Sequence, residues 1–343
     1  MTVSPQTISP PPAALLLRKL DGFIIERLVY AAAKLGIADL LSDGPRGTTG
    51  LAQQLSVNEP ALYRMLRALA SQGIFEENGP RSFTHTELSR SLCAGVPGSI
   101  RSLILFRGGD FVRQSFGKIL YSIETGKAAS DKLFGSSAPQ FRREHGEMAA
   151  LFDQAMTEFS ALAAAALVGT YDFGAWGSLM DLGGGNGFFL AAVLKAYPGL
   201  RGVLADLPDV VERALQRGFL AGELASRSSV QSCDFFQEVP AGCRAYLLKT
   251  VILDWNDEQA HRILVNCRKA VPDDGVLLLI DFFLTQENGS SSGALLDIPM
   301  LVLTGGQVRT IDEIRQLAAD AGFRLNRVIS TPAEYSIIEA LPV

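Results

Sequence analysis

Three glycines at alternate positions, Gly183, Gly185 and Gly187, stand between two short apolar runs in SLMDLGGGNGFFLAAVLKAYPGLRGVLADLP, residues 178–208. Residues 179–182 read as a buried strand. A helix follows over residues 188–196, stopped by Pro198 and Gly199. A second strand, residues 202–205, ends at Asp206. This is a βαβ unit whose first turn lets a ligand approach the backbone, and whose second strand presents a carboxylate suited to ribose hydroxyls. A dinucleotide fingerprint needs glycines at i, i+2 and i+5. Counting from Gly183 or Gly185, the last place falls on Phe188 or Leu190, so neither start fits. The pattern is Asp-x-Gly-x-Gly-x-Gly with Asp181 at its head; taken alone, it also suits a glycine-rich turn in some other doubly wound protein.

The rest of the chain supplies the context. Its 343 residues are enough for two domains. Strands are expected at residues 229–233, 245–248, 276–282, 324–329 and 335–340, with helices at 209–216, 257–270 and 312–321. That alternation predicts a doubly wound α/β domain from about residue 171, with ligand at the carboxyl ends of its strands. Residues 13–100 read as a small helical domain. An amphipathic helix is expected over 28–41, a second capped by Thr48 or Thr49 and running to Leu55, and a third over 59–71 capped by Asn58. Asn78-Gly79-Pro80-Arg81 then joins two strands as a hairpin, completing a winged-helix pattern. Residues 101–170 are helical and apolar. Phe152, Met156 and Phe159 share one face there, as core or as the wall of an apolar pocket.

A winged helix raises nucleic-acid binding, and charge argues against it. Residues 43–90 hold five basic side chains and five acidic ones, and the net charge of the chain is −5. A nucleic-acid reader needs a clustered positive face. No apolar run approaches the roughly 18 residues of a membrane span. The opening MTVSPQTISPPP lacks a basic-then-apolar leader and, as residues 1–12, is expected to be a disordered tail. The four cysteines, Cys93, Cys233, Cys243 and Cys267, never form Cys-x-x-Cys, so reduced thiols in a cytoplasmic protein are expected and no metal site.

The glycine loop resembles that of class I S-adenosyl-L-methionine (SAM) methyltransferases. With ADLPDVV (205–211), CDFF (233–236), LLKTVILDWNDE (247–258) and LTGGQVRT (303–310), the chain from residue 15 onward resembles the small-molecule O-methyltransferases. That group includes plant caffeate and flavonoid enzymes, hydroxyindole O-methyltransferase and bacterial natural-product enzymes. The resemblance implies a Rossmann-like SAM domain at 171–343, a winged-helix dimerisation domain at 13–100, pocket helices at 101–170 and a homodimer. It also implies SAM as cofactor and S-adenosylhomocysteine as product. Asp181, Gly183 and Gly185 would line the methionine part. Asp206, with Leu207 beside it, would hold the ribose, and Asp234 and Phe235 the adenine. Lys249 would frame the site, and Trp255 would pack at the adenine edge.

The departures from the resemblance bear on chemistry. The family places a general-base histidine immediately before the Asp-Trp of DWNDE, where this chain has Leu253. It places a glutamate two residues after the paired glycines, where this chain has Val308; the third acidic place is kept as Asp281. A positioned base contributes about 10²–10⁴-fold in rate. Candidates for its work are Asp281, His145 and Asp254. Leu253, Val308, Phe152, Met156, Met300 and Leu303 are expected to form an apolar acceptor pocket. Two functions follow: methyl transfer to a small, largely apolar acceptor without the histidine, or non-methylating chemistry such as hydroxylation, decarboxylation or pericyclic rearrangement on the same scaffold.

Overall fold

The structure is a computed structural model that describes residues 10–284 and 292–343. It divides into two compact units, residues 1–109 and 110–343. The expected tail lies outside the described residues for positions 1–9, and Pro12 already opens a helix, Pro12–Leu20. The boundary also splits the expected 101–170 segment: the helix Arg101–Arg107 belongs to the first unit and the helices from Asp110 onward to the second.

In the first unit, the helix expected over residues 28–41 instead begins at Gly22 and ends at Leu35. Gly36 adopts a left-handed φ of 68° and breaks it from the short turn Ile37–Leu40. Neither Thr48 nor Thr49 caps the next helix, Thr48–Leu55; its N-cap is Gly47, and Thr48 Oγ1 donates to Glu59 instead. Asn58 does cap Glu59–Ser71, accepting from the Ala61 N–H at 3.0 Å. Three strands, β1 (Arg46–Gly47), β2 (Phe75–Glu77) and β3 (Ser82–His85), form an antiparallel sheet in the order β1-β3-β2. Leu51, Leu66, Leu69, Phe75 and Phe83 close its core. The hairpin's Arg81 pairs with Glu59 at 2.8 Å and lies over the Tyr63 ring, so its charge is already engaged.

The second unit opens with helices that end in Gly146–Thr170. Its seven strands follow: β4 (Ser178–Leu182), β5 (Arg201–Asp206), β6 (Ser228–Ser232), β7 (Ala245–Lys249), β8 (Val276–Asp281), β9 (Phe323–Ser330) and β10 (Ser336–Pro342). They order as β6-β5-β4-β7-β8-β10-β9. The first five are parallel, and β10 runs antiparallel to both neighbours. Successive residues feed opposite faces, as strand period demands. Leu179, Leu247, Leu278 and Ile337 enter one core layer; Met180, Leu248, Leu279 and Ile338 enter the other. With both faces covered, the central strands read as continuous apolar runs. The chain turns from β4 to β5 on one side and later to β7 on the other, so the crevice between β4 and β7 is the topological switch point.

Gly146–Thr170 departs from the membrane expectation: this 25-residue helix is long and apolar enough to span a bilayer by length and composition. Asp153 and Glu158 interrupt its apolar run. Phe159, Ala163, Ala164 and Leu167 pack this helix into the core of its own unit.

The Thr304-Gly305-Gly306 corner presses on the segment 253–255. A Cβ at Gly306 would fall on Leu253 O, the Asp254 carbonyl carbon and Trp255 N, all backbone atoms that cannot rotate away. Buried Arg309 ties down the same turn, donating to Ile252 O at 3.1 Å and Trp255 O at 2.8 Å. Gly306→Ala is therefore expected to cost about 1–3 kcal/mol of stability in urea unfolding. Gly169→Ala, which meets no atom within 4 Å, should be neutral or mildly stabilising. Equal effects from the two would refute the backbone clash.

Candidate active site

A cavity of about 470 Å³ opens at the carboxyl ends of β4, β5 and β7. Its floor is the loop after β4. Gly183, Gly185 and Gly187 all take positive φ, 69°, 58° and 76°, which L side chains rarely adopt. A Cβ at Gly183 would sit 3.0 Å from Val251 Cγ2 and 3.5 Å from the Phe235 ring, space the glycine leaves in the cavity wall. Thr250, directly after β7, also has positive φ, 53°, a strained conformation at the same edge.

Ionisable groups ring this floor. Asp206 ends β5. Its Oδ2 accepts the Gly185 N–H at 2.9 Å and its Oδ1 the Leu207 N–H at 2.7 Å. Burial pushes its pKa up to about 6 against those two bonds. Asp181 is buried; its Oδ2 has no hydrogen-bond partner among the described residues, and burial lifts it to about 7, with Lys249 acting the other way. Lys249, at the end of β7, is lowered by burial and held back by Asp181 and Asp281. Asp234 is oriented by the Phe236 N–H at 3.0 Å and by Gln237 at 2.8 Å. Phe235, Phe236 and Trp255 meet edge to face, with Phe236 and Trp255 centroids 4.7 Å apart. Asp181, Asp206, Asp234, Phe235, Phe236, Lys249 and Trp255 line the cavity.

The acceptor side differs from expectation. Phe152 and Met156 line the wall, joined by Phe159. Leu253, Leu303, Val308 and Met300 do not. The first three are buried, and Met300 packs against the core cluster that holds Leu253 and Val308. The reason is the tight turn Ile252–Asp254. Consecutive residues of a 3₁₀ turn point about a third of a revolution apart. Asp254 and Trp255 therefore face the cavity while Leu253 turns into the core. Of the base candidates, His145 is exposed, stacks on Phe141 at 3.9 Å and stands off the wall. Asp281 is buried off the wall, accepts the Phe282 N–H at 2.9 Å, and is pushed up to about 8 by burial. Asp254 does reach the wall; burial lifts its pKa to about 6, partly offset by Arg142.

Several wall residues were not expected from sequence. Arg213 bridges Asp153 at 2.5 Å and Asp209 at 2.9 Å, beside Asp206. The Asp209 and Arg213 spacing, i and i+4 on one helix, was the available signal. Asn186 reaches Thr157 Oγ1 at 3.0 Å, and Arg142 joins the wall from the helix Ala138–Glu144. Nothing local marks those two. Among the described residues, no group of three or more His, Cys, Asp or Glu side chains could hold a metal ion.

Asp281 keeps its proton in the folded chain up to about pH 8, whereas its ordinary value is 3.8. Between those values the folded state binds the extra proton, so this group's contribution to stability falls as pH rises. Asp281→Asn should therefore gain stability relative to wild type between about pH 5 and pH 8, read from urea unfolding at several pH values. A pH-independent difference would refute the buried neutral carboxyl.

Residues 116–324 match the profile of the O-methyltransferase domain and residues 17–95 that of the O-methyltransferase dimerisation domain. Phenazine O-methyltransferase PhzM of Lysobacter antibioticus is 37% identical over 343 residues, 100% of each chain. The crystal structure of LaPhzM matches with a TM-score of 0.93 at 37% identity, covering 97% of this chain and 100% of that one. NcsB1, an O-methyltransferase of neocarzinostatin biosynthesis solved with SAM and 2-hydroxy-5-methyl naphthoic acid, matches with a TM-score of 0.79 at 30% identity, covering 93% and 96%. With its glycine loop, its strand-end carboxylates and these matches, the chain belongs to the O-methyltransferase family and carries a dimerisation domain ahead of its catalytic domain.

Proposed function

We propose that this protein transfers the methyl group of SAM to the hydroxyl of a small, largely apolar aromatic acceptor, without an imidazole base. The observation that carries the reading is one cavity with two chemistries. The glycine loop and Asp206 form one side, Phe152, Met156 and Phe159 the other, and no histidine stands on its described wall. The residues fit the cofactor: the positive-φ glycines leave the cradle a side chain would fill, and Asp206 is held in place by two backbone N–H groups. When bound, SAM supplies an electrophilic methyl on a sulfonium and departs as S-adenosyl-L-homocysteine.

The side chains divide the remaining work. Asp206, ionised above about pH 6, has lone pairs left for a ribose diol after accepting from Gly185 and Leu207. Phe235 offers a ring face and Asp234 a carboxylate to an adenine. Asp181 and Lys249 lie near each other beneath the loop, each favouring the other's charged form against the effect of burial. The apolar wall excludes water and orients the acceptor, and orientation by itself can carry much of a barrier. Leu253 stands where the family's histidine is expected and offers no proton acceptor. Asp254 is the carboxylate on the wall that takes up the hydroxyl proton, and it is in its basic form above about pH 6. Leu15, Leu16, Leu20, Phe23 and Ile24 are exposed on the first two helices, which supports a homodimer through the dimerisation domain.

Asp206→Ala should weaken S-adenosylhomocysteine binding at least about 10-fold by calorimetry, because charge-assisted hydrogen bonds are lost; unchanged affinity removes the ribose assignment. The rate should fall as pH drops through about 6, since protonation disarms Asp254. Asp254→Asn should lower kcat by about 10²–10⁴-fold. A wild type that holds SAM without consuming it, across a panel of phenolic acceptors, would overturn methyl transfer.

A further inference from the structure

Arg142 is a wall cation whose hydrogen-bonding capacity, among the described residues, the protein does not use. Arg142 lines the wall with its guanidinium carbon 4.0 Å from the centroid of the Phe152 ring. Among the described residues its side chain makes no hydrogen bond and no ion pair. Two carboxylates attract it electrostatically. Asp153 is already bridged by Arg213 at 2.5 Å, and Asp254 lies beyond ion-pair distance. Arg143 and Arg213 repel it. A guanidinium presents a planar fork of five N–H donors, and leaving such donors desolvated and unpaired is costly. The helix that carries it is held in place. Phe141, the preceding residue, packs against Phe111 and Phe134 with centroids 5.0 and 4.7 Å away and stacks on His145. A half-buried fork on a braced platform suits bidentate recognition of a planar anion.

We propose that Arg142, backed by Phe152, is a carboxylate-binding residue of this cavity. The inference rests on the methyl-transfer reading for what enters the cavity. Two molecules would bring a carboxylate there: the amino-acid end of the cofactor, or an aromatic acceptor that bears an acid group. Both present the same planar anion to the same fork. Lysine supplies the charge as a point and lacks the fork, so it does not substitute fully.

The test is calorimetry on the full-length protein, wild type, Arg142→Gln and Arg142→Lys, with two matched pairs of probes. S-adenosylhomocysteine is paired with 5′-methylthioadenosine, which lacks the carboxylate; 3-hydroxy-2-naphthoate is paired with its carboxamide. Loss of a charge-assisted pair corresponds to about 10–100-fold in affinity. A loss of that size for S-adenosylhomocysteine in Arg142→Gln, with methylthioadenosine unchanged and partial retention in Arg142→Lys, assigns the fork to the cofactor's carboxylate. The same loss for the naphthoate, with the carboxamide unchanged, assigns it to the acceptor's. Equal losses for both members of each pair, or no loss in either, overturn the proposal. If Arg142→Gln does not fold, Arg142→Lys decides by the same comparison. Failure of the methyl-transfer reading shows separately: the wild type would then bind these probes without producing methylated acceptor from SAM.

Discussion

A parallel sheet covered on both faces has one place to put ionisable groups, the carboxyl ends of its strands, and the site follows from that constraint. β4, β5, β7 and β8 are apolar along their buried lengths. Asp181, Asp206, Lys249 and Asp281 stand at or next to their ends. Removed from water, the three acids are pushed up and the lysine down. Each is therefore tuned by depth and by its neighbours. Asp206, tied to two backbone N–H groups, stays low enough to be anionic at neutral pH, while Asp281, deeper, stays neutral. The same rule that builds the core thus separates a carboxylate on the cavity wall from one buried behind it.

The second constraint is the short turn Ile252–Asp254 and what clamps it. Gly306 approaches it with no room for a side chain, and Arg309 holds the carbonyls of Ile252 and of Trp255 just beyond it. A turn fixed this tightly determines which neighbour faces the cavity. Leu253 completes the core, and Asp254 and Trp255 reach the wall. Leucine at position 253 suits the fold, since it packs with Val308 in one cluster.

Much of this was legible in the sequence because it is local. The βαβ unit, the glycine loop and Asp206 depend on turn chemistry and strand period within thirty residues, and they stand within a residue or two of where they were expected. Asn58 as a helix cap is equally local. Structure and expectation differ where a local signal is ambiguous. Gly36 interrupts a periodic apolar pattern, and Thr48 spends its hydroxyl on Glu59 rather than on a cap. The long apolar helix was hidden by two acids, of which Asp153 is claimed by an arginine sixty residues away.

By itself, then, the sequence determined the class of fold, the cofactor loop and the absence of a histidine at position 253, because each is written in contiguous residues. The tertiary structure decided which side chains share the cavity. Leu253, Leu303, Val308 and Met300 turn away from it, and Arg142, Asp153, Asn186 and Arg213 enter it. Those outcomes depend on the direction of a single turn and on helices distant in the chain that meet over the sheet edge. Side-chain direction at such places is set by packing between segments, which no local spacing records.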